Sequence, residues 1–117
     1  WRGKQLDISV GDFFALSRNM LGPVDAVYDR AALVALPEPM RHRYAVHLAE
    51  LTHKAPQLLI CYDYDQRAMD GPPFSIPDEE VHRHYAGSFD VRRLSSTEVS
   101  GGLKGKCPAK ENVWLLR

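Results

Sequence analysis

Three places in the chain set charged or turn-forming residues directly behind an apolar, strand-like run: Gly11-Asp12, Asp29-Arg30 and Asp63-Tyr64-Asp65. In open α/β sheets, ligands bind beyond the carboxyl ends of the strands, so parallel strands would bring all three groups to one edge. Each taken alone is ordinary turn chemistry, because Asp and Gly favour tight turns. For Arg30 the plain structural alternative is a salt bridge to a nearby carboxylate such as Asp29 or Asp63. Three together, with an arginine immediately behind a buried strand, point to a site.

Other chemistries find less support. His42, His47, His53, His82 and His84 do not pair with Cys, Asp or Glu at a metal-ligand spacing. His82 and His84 stand two apart on an expected helix and so face different directions; we expect surface histidines and no metal. No Gly-x-Ser-x-Gly elbow occurs. The stretch Gly101-Gly102-Leu103-Lys104-Gly105-Lys106 lacks the spacing and following helix of a phosphate loop and reads as a mobile surface loop. Cys61 lies in an apolar run and reads as a buried, reduced thiol, with a disulfide to Cys107 the lesser alternative.

The elements that must position these residues follow from periodicity. Residues 5–10 alternate Leu6, Ile8 and Val10, as in a half-buried strand. Residues 24–28 form a second strand ending in Asp29-Arg30. Over residues 40–51, Met40, Tyr44, Ala45, Leu48 and Leu51 recur at spacings of three and four, predicting a helix with Arg41, Arg43, His47 and Glu50 on its other face. Residues 58–62 are a continuous apolar strand, as expected when both faces of a sheet are covered. Acids at Asp78, Glu79 and Glu80 open a helix running to about Ala86, where the dipole favours them. Residues 89–94 and 112–116 complete the strands. Strands alternating with helices predict an α/β fold with a mostly parallel sheet, and the final two strands an antiparallel pair at one edge.

Composition narrows the classes. Apolar residues make up 44% and charged residues 26% of 117, which suits one globular domain. Lys plus Arg equals Asp plus Glu at 15 each, so charge gives no case for nucleic acid or an anionic membrane as partner. No run approaches the ~20 apolar residues of a membrane span. With reduced thiols and no signal-peptide pattern, we expect a cytoplasmic protein. The opening Trp1-Arg2-Gly3-Lys4, without Met, reads as a truncated or processed start.

Three motifs together resemble the thiopurine S-methyltransferase family, especially its bacterial members. They are Gly11-Asp12-Phe13-Phe14-Ala15-Leu16, Tyr28-Asp29-Arg30-Ala31-Ala32-Leu33-Val34-Ala35-Leu36-Pro37, and Tyr62-Asp63-Tyr64-Asp65-Gln66 followed by Asp70-Gly71-Pro72-Pro73-Phe74-Ser75-Ile76-Pro77. The resemblance implies a Rossmann-like class I methyltransferase sheet with its last strand antiparallel, of which residues 1–117 supply the third to seventh strands as a single incomplete domain. It implies S-adenosyl-L-methionine as cofactor, with Asp12 and Phe13 beside the adenine ring. It gives Arg30 contact with both cofactor and substrate and a catalytic role, and makes Pro72, Pro73 and Phe74 part of a wall or lid over the acceptor. The implied acceptor is a small aromatic or heterocyclic thiol, with selenium and tellurium compounds as further candidates.

Two departures stand out. Where the family carries a second substrate-side arginine, this chain reads Ser100-Gly101-Gly102-Leu103-Lys104, and a lysine at 104 lacks the planar fork. By the resemblance, the first two strands of the family fold, with their Gly-rich loop and ribose-binding acid, are expected to lie outside residues 1–117. In the family's strand order of three, two, one, four, five, seven, six, that leaves an open edge at the fourth strand. We therefore expect the isolated chain to be inactive, completing itself with the missing N-terminal segment or a second copy. The alternative is a non-catalytic fragment or interaction module derived from a methyltransferase.

Overall fold

The computed structural model describes residues 9–117. The first expected strand, residues 5–10, falls mostly outside them, and Ser9 and Val10 are not in a strand. A single 3-10 turn (Phe13–Ala15) and the short helix α1 (Arg18–Leu21) come first. Each is opened by a side chain that takes up a free amide: Asp12 accepts from Phe14 N at 3.0 Å and Ser17 from Met20 N at 3.4 Å.

The rest runs β1 (Val27–Asp29), a 3-10 turn (Leu33–Ala35), α2 (Glu38–Leu51), β2 (Gln57–Tyr64), α3 (Asp78–Tyr85), β3 (Val91–Glu98) and β4 (Ala109–Leu116). β1 is shorter and later than the expected 24–28. α2 starts two residues before the expected 40, with Pro39 in its first turn, where the missing N–H leaves no gap. β3 extends through polar Thr97 and Glu98 because they pair with Glu111 and Lys110 of β4, and ladder partners override intrinsic preference. A bulge between Arg93 and Ser95 leaves Leu94 half exposed on this edge strand.

The four strands lie in the order β1-β2-β4-β3. β1 and β2 are parallel, and β4 runs antiparallel to both β2 and β3. The last strand is thus the reversed one and sits inside the sheet, while β3 forms the edge. The carboxyl ends of β1, β2 and β3 consequently share one side. Both crossovers step the same way across the sheet, so right-handedness puts α2 and α3 on the same face. There Tyr44, Ala45, Leu48, Val81 and Tyr85 pack with Leu59, Cys61, Trp114 and Leu116 in one core. On the other face Tyr28, Leu58 and Leu94 are exposed. On that face of β2 Leu58 is exposed while Ile60, two residues on, is buried, so the expected cover on both faces is met only in part by the described residues.

A second, smaller cluster joins Tyr64, Met69, Leu103, Cys107 and Ala109. The stretch read as a mobile loop is therefore anchored: Leu103 and Cys107 are buried and pair as an isolated bridge. Gly102 permits it, at φ +81°, where an added Cβ would stand 2.7 Å from the Cys107 carbonyl oxygen. Both cysteines are free thiols. Among the described residues no helix is long and apolar enough to cross a membrane.

One buried carboxylate organises the end of β1. Asp29, 3% exposed, accepts from the Tyr44 hydroxyl at 2.7 Å and from the amides of Ala32 and Leu33 at 3.1 and 3.3 Å. Removing the Tyr44 hydroxyl strips a charged acceptor of a buried donor. Tyr44→Phe is therefore expected to lower the unfolding free energy by about 1.5–3 kcal/mol, read as a lower urea midpoint at constant m. A change under about 0.5 kcal/mol would remove this bond from those that hold the fold.

Burial, reinforced by Asp29, pushes the Cys61 thiol up, and burial pulls the His84 imidazole down against the opposing pull of Glu80. The thiol keeps its proton in the folded state, so its contribution is whole below an unfolded pKa of ~8.5 and is lost as pH rises beyond it. The imidazole takes up a proton less readily than in the unfolded chain, so its contribution is whole above ~6.5 and is lost as pH falls. Melting temperatures across pH 5–10 are expected to peak between these limits; Cys61→Ala should flatten the alkaline arm and His84→Asn the acid arm.

Candidate functional site

Asp29 closes β1 with its side chain in the core, and Arg30, in the bend that follows the strand, is exposed. The alternative of a salt bridge from Arg30 to Asp29 or Asp63 is not realised among the described residues. Asp29 is committed to Tyr44 and the following turn. Burial and then Glu111 raise the Tyr62 phenol on β2, and the charge of Arg30 acts in the opposite sense.

The Pro72-Pro73-Phe74 loop lies across the same side of the sheet and is tied down along its length. Phe74 N donates to Val34 O at 2.7 Å, in the turn that follows Arg30. The Tyr64 hydroxyl donates to Pro73 O at 2.6 Å, and Lys104 Nζ donates to Pro72 O at 2.7 Å. Ser75 Oγ donates to Tyr64 O at 2.8 Å, and Ile76 N donates to Tyr62 O at 2.8 Å. The end of β1, the end of β2 and the loop thus form one hydrogen-bonded rim. Lys104, singled out in the sequence as a stand-in for an arginine, spends its ammonium on the loop backbone.

Asp12 and Phe13 sit on the flank of this rim. Asp12 is exposed and caps its own turn. The half-buried Phe13 ring packs on Tyr44, centroids 5.1 Å apart, and edge-on against His47 at 5.0 Å. Tyr44 therefore touches both Phe13 and Asp29, and through it the first motif is placed beside the second. No described contact joins Asp12 or Phe13 to the 72–74 loop.

Sequence reasoning missed a buried ionic cluster behind the loop. Arg41 was read as facing away from the core; it is 5% exposed and donates through Nη1 to both Glu80 oxygens at 2.9 and 3.0 Å. Glu80 also accepts from His84 Nε2 at 2.9 Å, so His84 is not the expected surface residue, whereas His82 is exposed. The signal was present: Arg41 lies three before Tyr44 and four before Ala45, on the apolar stripe itself. With Asp63, Tyr64, Asp70 and Phe74, Arg41 and Glu80 help to line a cleft of about 540 Å³. Among the described residues no group of three or more His, Cys, Asp or Glu side chains is placed to hold a metal ion.

Comparison with known proteins gives the family. A family model described as thiopurine S-methyltransferase matches residues 1–116. The thiopurine S-methyltransferase of Xanthobacter autotrophicus is 59% identical over 111 residues, covering 95% of this chain and 52% of that protein. That of Gluconobacter oxydans is 49% identical over 107 residues, 92% of this chain and 49% of the other. That of Teredinibacter turnerae is 47% identical over 116 residues, 99% of this chain and 54% of the other. The chain spans about half the length of these curated relatives. With nearly every residue matched, this chain belongs to the thiopurine S-methyltransferase family.

Proposed function

We propose that the chain is the C-terminal part of a single methyltransferase domain that transfers a methyl group from S-adenosyl-L-methionine to a small aromatic or heterocyclic thiol. The observation that carries this is the rim itself. Arg30 and the Pro72-Pro73-Phe74 loop stand on one side of the sheet, joined through the Val34–Phe74 bond, and membership of the family supplies the reaction class. The sheet order supports assigning β1, β2, β3 and β4 as the family's fourth, fifth, sixth and seventh strands. The free side of β1 is then where the preceding strands would pair.

The donor set suits S-adenosylmethionine in part. Asp12 offers an exposed carboxylate and Phe13 a half-buried ring, the chemistry for holding an adenine. When bound, the cofactor supplies a sulfonium methyl as the electrophile. Arg30 does the work on the acceptor side: its cation favours the thiolate, which is the nucleophilic form, and orients it. Pro72, Pro73 and Phe74 wall the acceptor in and exclude water, so alignment for in-line displacement does much of the catalysis. Selenium and tellurium nucleophiles are further acceptors for the same chemistry.

The test uses the protein at its natural length. Calorimetry is expected to show S-adenosylmethionine binding, and Arg30→Ala to lower kcat/KM for a thiopurine about 100-fold, the size typical of a lost charge-stabilising group. Arg30→Lys should recover only part, having no planar fork. Failure of the natural-length protein to bind S-adenosylmethionine would leave the non-catalytic interaction module as the better account.

A further inference from the structure

Arg41 is engaged on every side. Beyond its bonds to Glu80, Nε donates to Leu36 O at 2.9 Å, and the guanidinium carbon lies 5.3 Å from the centre of the Phe74 ring. Buried ion pairs of this kind are expensive to desolvate, and apolar side chains of similar size often hold two helices equally well. What an apolar pair does not provide is a planar cation held at a fixed height against an aromatic ring. The Phe74 backbone is clamped separately by Val34. The ring's remaining freedom is rotation about its own side-chain bonds, with the guanidinium and the Gly71 backbone bordering it.

We propose that Arg41 is a positioning residue: braced by Glu80, it sets the orientation of the Phe74 ring and thereby the fit of an aromatic acceptor, without touching acceptor or cofactor. This rests on the 72–74 loop being the acceptor wall, as proposed above. His84 and Leu36 brace the same device, since they fix Glu80 and the Arg41 Nε respectively.

Steady-state kinetics on the natural-length protein separate the two ideas, using a thiopurine and a small aliphatic thiol as acceptors. Arg41→Gln is expected to raise the thiopurine KM about tenfold, the scale of a buried cation–π contact, with kcat and the S-adenosylmethionine KM within about twofold. Arg41→Lys keeps the charge opposite Glu80 and should fall between the two, and it decides the question alone should Arg41→Gln not fold. The aliphatic thiol KM should stay unchanged in both. Phe74→Ala tests the wall itself. A raised thiopurine KM in Phe74→Ala beside wild-type KM in the Arg41 variants would overturn the positioning role and spare the wall. An unchanged KM in Phe74→Ala would sink both. Arg41 variants that lose melting temperature and kcat on both acceptors with KM unmoved would make Arg41 scaffold only.

Discussion

A carboxylate buried at the end of a three-residue strand has to find donors, and at Asp29 that requirement shapes everything around it. Burying an unpaired charge is prohibitive, so the chain turns back at once to offer the amides of Ala32 and Leu33, while α2 offers the Tyr44 hydroxyl. The turn so fixed carries Leu33 and Val34 into the core. It also presents the Val34 carbonyl that holds Phe74. Arg30, the next residue, lies in the exposed bend that opens this turn.

A second buried charge system joins α2 to α3. Arg41 and Glu80 are each nearly inaccessible, with side-chain exposures of 6% and 7%, and His84 completes the set. Such a cluster adds little net stability, since the desolvation of each ion offsets the attraction between them. Its worth is geometric: it fixes the register of two helices and sets a guanidinium against the loop that crosses the carboxyl ends of the strands. Rigidity around the rim therefore comes from polar bonds, and cohesion from the apolar core beneath it.

The opposite face of the sheet has the complementary character. Tyr28, Leu58 and Leu94 are exposed there, and the edge of β1 beyond its pairing with β2 is free among the described residues. Among the described residues α2 and α3 pack on the other face, and the chain spans about half the length of the relatives it matches.

The sequence by itself determined the α/β class, the helix over 38–51 to within two residues, the run of β2, the acid-led start of α3 and the family. Each is a local matter: periodicity, caps and motif spacing are properties of neighbours in the chain. It also named Arg30 and the 72–74 loop, because rare residue combinations mark them. Only the tertiary structure decided that Asp29 faces inward, that Lys104 is spent on Pro72, and that the Gly-rich stretch is pinned by Leu103 and Cys107. It alone paired Arg41 with Glu80, residues 39 apart in sequence. A charged residue on a helix reads as a solvated face until its partner is known. Local spacing places Arg41 on the apolar stripe but does not name its partner, because the physics that joins Arg41 to Glu80 is burial of opposite charges across the fold.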